Sequence, residues 1–483
     1  MMSTTVRAPE FTTSGLTWFN TPAPLRLAGL RGRLVVLDFW TYCCINCQHV
    51  LPTLRLLEEA FPDHVTIIGV HSPKFPAERD PATVAAAIAR HDIRHPVVHD
   101  PFLTVWEAYA IRAWPTLVVI GPDGAILGQL SGEPDPTALL DGMGGLIAQY
   151  QQTGRLQPSP ESWLKPSPRT GHFSFPSKIR PLPGASPQWV VADSGHHQIV
   201  VLDDAGQTLK RYGQGGPGLR DGTADHAQFR APQGVAADEH AIWVADTENH
   251  ALRRIDRRTG TVTTVAGHGR RGGPIRRPVP ARDAVLASPW DVTLWHGLVW
   301  FANAGTHQLG VYDPACEDIR LAAGTSGEDR VDGPALHAAL AQPSGLAVLD
   351  DRLCFVDSET SSVRWLDPHT GKVGTWAGQG LFDFGHVDGP TAEALFQHPL
   401  GLCVDGVTLL IADSYNNALR RLRPADHRVE TLDLGVCQDA LCRPLAQPAG
   451  IWAEPDRLLL VDSNNHRIIA VDRAAGTYRT WAE

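Results

Sequence analysis

The stretch Leu37-Asp-Phe-Trp-Thr-Tyr-Cys43-Cys44-Ile-Asn-Cys47 decides how the amino-terminal third of this chain folds. It grows out of an apolar, β-rich run, Leu34 to Phe39, that carries Asp38 in its interior. The run stops at two cysteines spaced C-x-x-C, and a helical pattern then opens and meets Pro52. A thiol at the first turn of a helix lies beside unpaired backbone N–H groups and the positive end of the helix dipole, which favours thiolate over thiol. Such a thiolate attacks a disulfide and forms a mixed disulfide. Cys47, one turn on, attacks the sulfur of Cys44 and releases the product. A C-x-x-C pair is also half a zinc site. The chain offers no second C-x-x-C or H-x-H partner, so redox chemistry is favoured and neither metal nor cofactor is expected.

At 483 residues the chain is too long for one ordinary domain. Hydrophobic residues make up 43% and charged residues 19%, which describes a soluble globular protein. The net charge of −10 is spread, −3 within residues 1–155 and −7 beyond. Nucleic-acid and anionic-membrane binders need clustered positive charge, so neither partner is expected. Met1–Asn20 has no apolar core of signal-peptide length, and no run reaches the ~18 apolar residues of a membrane span. The expectation is a cytoplasmic monomer. Cys316, Cys354, Cys403, Cys437 and Cys442 are scattered and read as small buried hydrophobes of a reducing compartment. A Cys437–Cys442 bridge is the disfavoured alternative. His64, His71, His91, His95 and His99 show no ligand spacing and read as solvated loops or strand ends. The basic stretch from Arg270-Arg271 to Arg276-Arg277 reads as a solvated loop.

Residues 1–155 alternate strand and helix patterns, which implies a parallel or mixed sheet covered on both faces. Predicted strands are Leu34–Phe39, Val65–Val70, His95–His99, Leu117–Ile120 and Ala125–Leu130; helices run over Cys44–Ala60, from Pro81, over Leu103–Ala110 and over Pro136–Tyr150. Residues 156–172 are rich in proline and serine and read as a semi-rigid linker. From there, over 173–483, the chain repeats. A proline before an apolar strand recurs at Pro176, Pro232, Pro289, Pro343, Pro399 and Pro448, at intervals of 56, 57, 54, 56 and 49. A second motif follows each, as in Val190-Val-Ala-Asp193-Ser, Trp243-Val-Ala-Asp246-Thr and Leu410-Ile-Ala-Asp413-Ser. Its Asp is expected to accept hydrogen bonds from the turn before the third strand. Four short strands per repeat and six copies predict a six-bladed β-propeller.

The repeats resemble NHL repeats. The amino-terminal region resembles the thioredoxin fold: Leu37-Asp-Phe-Trp40 and Cys44-Ile-Asn-Cys47 match its strand and dithiol, and Pro52 its helix kink. The whole chain is similar to the NHL repeat-containing protein 2 family, so the fold class expected is α/β plus all-β, a thioredoxin-like fold followed by a six-bladed NHL propeller. The resemblance implies that Pro115 in Trp114-Pro115-Thr116 is cis and presents backbone to an extended substrate. It also implies that Asp38 is a buried carboxylate, and burial raises its pKa toward that of a proton acceptor for Cys47. The bland rivals are a trans strand edge at Pro115 and an ordinary core aspartate at position 38. Cys43 stands where thioredoxins usually carry Trp and reads as packing rather than a third redox thiol; Asn46 replaces the usual proline. Trp40, Trp114 and Thr116 complete the expected site.

The reading is a thiol–disulfide oxidoreductase whose partners are a protein or peptide disulfide and a reducing protein. Its rival is a non-catalytic binding scaffold in which the propeller does the work. A peroxidase, from Thr41-x-x-Cys44, fails on Leu37 where a proline is needed. A lyase with a metal in the propeller channel fails on the lack of an ordered histidine set in the turns.

Overall fold

Seven consecutive buried residues, Leu34–Trp40, form a strand with no solvent-facing side, which places it at the centre of a sheet covered on both faces. This strand organises the first of two compact units, Met1–Pro168 and Arg169–Glu483, of a computed structural model that describes residues 6–11, 14–158, 163 and 171–483. Most of the Pro/Ser-rich stretch 156–172 and part of Met1–Asn20 lie outside the described residues. In chain order the first unit holds β1 (Thr17–Phe19), β2 (Leu34–Trp40), α1 (Ile45–Ala60), β3 (Val65–His71), α2 (Pro81–Arg90), β4 (Val97–His99), α3 (Thr104–Ala108), β5 (Thr116–Ile120), β6 (Ile126–Ser131) and α4 (Pro136–Gln152). The sheet order is β1-β4-β3-β2-β5-β6. It is mixed: β2, β3 and β4 run parallel, β5 pairs antiparallel with β2, and β6 antiparallel with β5. The short edge strand β1 has no period that sequence reading detects. Val50, Leu54 and Leu57 of α1 pack with Leu139, Met143 and Ile147 of α4 on the Leu34 and Val36 face of β2.

The second unit is a ring of six blades, each with four antiparallel strands over residues Pro176–Tyr212, Gly234–Ala266, Pro289–Ala323, Pro343–Ala377, Gly401–Thr431 and Pro448–Ala482; in the third to sixth blades a two-residue strand from the preceding loop adds a fifth at the edge. Each blade is built from its own stretch of chain, so the ring closes without a shared strand. Side chains close it. Ile179, Trp189 and Val191 of the first blade share a core with Leu459, Val461 and Trp481 of the last.

A repeated staple joins neighbours. The residue before each repeat proline is left-handed, and so is the residue after each blade's second-strand turn. The turn residue accepts a hydrogen bond from the backbone N–H of the pre-proline residue in the next blade. His197 Nδ1 accepts from Ala231, His250 Nδ1 from Ser288, His307 Nδ1 from Gln342, Ser361 Oγ from His398 and Asn417 Oδ1 from Gln447, all at 2.8–3.1 Å. His466 Nδ1 accepts from Phe175 at 3.0 Å and completes the circle. Four of the six staples are thus histidines in register, an ordered set that the sequence reading did not find. We expect His466→Ala to lower propeller stability by about 1–3 kcal/mol, because a buried N–H loses its acceptor. His466→Asn should cost far less, since Asn417 already performs the same task. Denaturant unfolding of both variants checks this.

The motif aspartates do more than the turn demands. The second, fifth and sixth accept from the turn asparagines Asn249, Asn416 and Asn465, as expected. All of Asp193, Asp246, Asp357, Asp413 and Asp462 also accept through Oδ1 from the backbone ahead of their own blade's first strand. Four of them pair with a buried arginine of strand three: Arg253, Arg364 and Arg420 at 2.7 Å and Arg467 at 2.8 Å. In the third blade the carboxylate is Asn303 and the arginine is Gly310. The two charges are absent together, as the cost of an unpaired buried ion requires.

Innermost strands of the six blades pack around the axis, and long side chains cross it. Lys178 Nζ donates to the Leu400 and Ala449 carbonyls of the fifth and sixth blades, and Arg180 reaches Asp291 of the third at 3.3 Å. One further correction concerns Cys437 and Cys442. They are joined by a disulfide, with Cα atoms 6.1 Å apart, because the loop ahead of the sixth blade brings them to bonding distance. Cys316 is exposed, whereas Cys354 and Cys403 are buried as expected. Among the described residues no helix is long and apolar enough to cross a membrane.

Candidate active site

The dithiol sits where β2 hands over to α1. Helix α1 begins at Ile45, so Cys44 is its N-cap, in extended conformation with φ −79° and ψ 115°, rather than its first helical residue. The Cys44 carbonyl accepts from the Cys47 and Gln48 N–H groups at 3.1 and 3.2 Å, which fixes the first turn. Cys44 is half-buried and Cys47 is fully buried; both are free thiols. Burial pushes the Cys47 thiol well above its usual range, and Cys44 and Asp38 push it further the same way. Asn46, between them, is half-buried.

Asp38 lies beneath this turn with no solvent exposure. Neither carboxylate oxygen has a hydrogen-bond partner among the described residues. Desolvation pushes it up to about 7, against a smaller opposing pull from His95. Buried carboxylates are ordinarily hydrogen-bonded, and this one is not among the described residues. The Trp114–Pro115 bond is cis. Pro115 precedes β5, in which Thr116 registers opposite Phe39 and Leu117 opposite Asp38, so the cis-proline stands beside the end of β2. Thr116 Oγ1 donates to the Ala113 carbonyl, and Trp114 Nε1 to the Ser72 carbonyl, at 2.8 and 2.9 Å. The indole of Trp114 lies 4.5 Å from that of Trp106.

Sequence reading missed Glu78. This carboxylate is completely buried and accepts from Thr41 Oγ1 at 2.6 Å, Lys74 N at 2.7 Å, and Cys43 N and Phe75 N at 3.1 Å. It holds the loop that presents Cys43 and Cys44. The thiol of Cys43 is buried beside Thr41 Oγ1 at 3.6 Å, consistent with packing. The only local signal was a glutamate three residues after Phe75 at a helix start, a common capping pattern.

The histidines also need correction. His71 and His99 close β3 and β4, strand ends as expected, but they and His95 are buried rather than solvated. His99 Nε2 donates to the Arg79 carbonyl, so its Nδ1 accepts from His71 Nδ1–H at 3.1 Å. Burial, with His99 alongside, holds His71 well below its usual value. Tyr42 stacks on His71 at 5.4 Å. These side chains close the site from below because β3 and β4 end there, which periodicity alone does not reveal.

A thioredoxin-like family model matches residues 32–126 and an NHL repeat model residues 229–255. The chain is 36% identical over 505 residues to NHL repeat-containing protein 2 of Gallus gallus, covering 95% of this chain and 69% of that relative. This chain belongs to the NHL repeat-containing protein 2 family. It is also 37% identical over 501 residues to the protein SUPPRESSOR OF QUENCHING 1, chloroplastic, of Arabidopsis thaliana, across 98% of this chain. The chain spans about half of that plant relative's length, 47%. The thioredoxin-like part of this NHL repeat-containing protein 2 relative is 32% identical over 104 residues to thiol-disulfide oxidoreductase ResA of Halalkalibacterium halodurans, 21% of this chain and 56% of ResA.

Proposed function

We propose that the chain exchanges disulfides with a protein or peptide substrate through Cys44 and Cys47, is re-reduced by a partner protein, and uses the propeller to hold its substrate. The observation that carries this reading is the unpartnered, buried Asp38 beneath a dithiol with one thiol accessible and the other sealed. Cys44 sulfur attacks the substrate disulfide, forming one S–S bond and releasing one substrate thiolate. Cys47 gives its proton to Asp38, and its sulfur attacks Cys44, forming the Cys44–Cys47 bond and releasing the second substrate thiolate. Burial disfavours the Cys47 thiolate until a base stands ready, so the order is attack by Cys44 first. The cis-Pro115 backbone beside β2 is a place for an extended substrate segment to pair. A cytoplasmic, reducing setting suits the chemistry.

Cys44→Ser should abolish reduction of a disulfide substrate. Cys47→Ser should accumulate a covalent mixed disulfide, read by non-reducing electrophoresis and mass spectrometry. Equal activity in wild type and Cys44→Ser would sink the proposal.

A second reading, a binding scaffold, is favoured by one observation. Loops leading into the second to sixth blades each expose a large apolar side chain, among them Leu219, Val285, Leu336, Phe382 and Leu441. Exposed apolar residues gathered on corresponding loops suit protein contact. Partner capture that survives Cys44→Ser but fails in Phe382→Asp with Leu441→Asp would support the scaffold over the oxidoreductase.

A further inference from the structure

Asp38 is not the only unsatisfied group beneath the dithiol. Trp40 Nε1 and His95 Nε2 are also buried without a hydrogen-bond partner among the described residues. All three residues are almost completely sealed, at 0%, 1% and 3% exposure. They surround one glycine. Gly69 registers opposite Asp38 on the neighbouring parallel strand. A Cβ at Gly69 would lie 3.0 Å from Trp40 Nε1 and 3.5 Å from His95 Nε2. A side chain here would crowd the indole N–H and the imidazole, with Val97 Cγ2 at 3.2 Å as the third neighbour. The other ring nitrogen of His95 faces Glu58 Oε1 at 3.2 Å, and Glu58, on the outer side of α1, is 28% exposed. Among the described residues Asp38 has no hydrogen-bond partner of its own that leads to solvent.

We infer that His95 and Glu58 form the proton outlet of Asp38, with a bound water over Gly69 bridging Asp38, Trp40 Nε1 and His95 Nε2. One water with two donors and two lone pairs satisfies a carboxyl, an indole N–H and an imidazole nitrogen at once, which is the usual role of water in a polar interior. The inference rests on the exchange reading above and adds what that reading lacks, a route by which the proton taken from Cys47 leaves. The steps balance. The Asp38 O–H bond breaks as the water passes a proton on and an N–H bond forms at His95 Nε2. The His95 Nδ1–H bond then breaks as an O–H bond forms on Glu58, which releases the proton to solvent. No electrons move.

The titratable groups that act on Asp38 are His95, from the segment between α2 and β4, and Cys47 of α1. Its neighbours in register on β3 and β5, Gly69 and Leu117, carry no charge. Glu58 of α1 is the carboxylate paired with His95. Arg94, beside His95 in the chain, acts on Glu58 at the outer end; the route is short, and a single residue can interrupt it.

The test combines two measurements on the full chain. First, 15N NMR follows the His95 ring across pH in the reduced wild type and in Asp38→Asn. The inference expects the His95 Nε2 resonance to carry a component that follows the Asp38 carboxyl, near pH 7. Asp38→Asn should remove it. A His95 resonance indifferent to Asp38→Asn overturns the outlet. Second, turnover with a small disulfide is measured in His95→Ala, with and without added imidazole. A loss of roughly tenfold at pH 7, restored by free imidazole, is expected for a displaced proton carrier. A merely structural histidine would not be rescued, and undiminished turnover in His95→Ala overturns the outlet. Gly69→Ala, which places a methyl group where the water sits, should slow turnover without imidazole rescue. Wild type that exchanges no disulfide yet keeps the coupled titration would sink the exchange reading and still support the outlet.

Discussion

Asp38→Asn is expected to make the thioredoxin-like unit more stable at pH 8 and at the same time slower. Burial lifts the Asp38 carboxyl from an ordinary 3.8 to about 7 in the folded chain. Between those values the native state holds a proton that the unfolded state has released, so stability falls as pH rises through that window and stays lowered above it. Below the unfolded value both states are protonated and nothing is lost. Three pKa units correspond to roughly 4 kcal/mol, an order-of-magnitude figure for the cost of ionising this group in place. Asparagine has no proton to lose and avoids that cost. Denaturant unfolding of wild type and variant, followed through peptides of β2 by hydrogen exchange, should show a gap at pH 8 that closes near pH 3.5. A gap independent of pH would mean that ionisation is not its source. Disulfide exchange should fall about a hundredfold in the same variant, the usual worth of a positioned base. A group that costs stability and speeds a reaction is what a functional site, rather than a packing site, retains.

The second large effect lies in the propeller. Arg420→Met should destabilise the ring by about 3–5 kcal/mol, because it strands a fully buried Asp413 without its cation. Arg420 also donates to Asp388 and to the Val387 and Leu395 carbonyls, so one substitution unties the inter-blade loop as well. Adding Asp413→Asn should recover most of the loss, since the third blade already runs on Asn303 with no arginine opposite. Thermal unfolding of the single and double variants decides the matter; equal loss in both would show that the loop contacts, not the stranded charge, dominate.

Most of the fold was legible in the residues. The period of the prolines and the Asp-Ser motifs sets the number of blades, because each blade is a local unit whose strands pair with their sequence neighbours. The apolar run into C-x-x-C marks β2 and α1, because a strand buried on both faces carries few polar residues and Asp38 stands out within it. Other features were not legible. Glu78 lies 35 residues from the Cys43 N–H it accepts from. His95 meets Asp38 only because β4 docks beside β3. The staple histidines find their acceptor role only when one blade lies against the next.

By itself, the sequence determined the local objects: six blades, a central strand, a helix that starts at a dithiol, and a lone acid within an apolar run. These follow from short-range periodicity and from the chemistry of single side chains. Only the tertiary structure decided which buried charges are neutralised and which are left bare, that Arg420 covers Asp413 while no described residue hydrogen-bonds to Asp38. That choice depends on the desolvation of groups brought together across strands and blades, a quantity set by three-dimensional neighbours rather than by position along the chain.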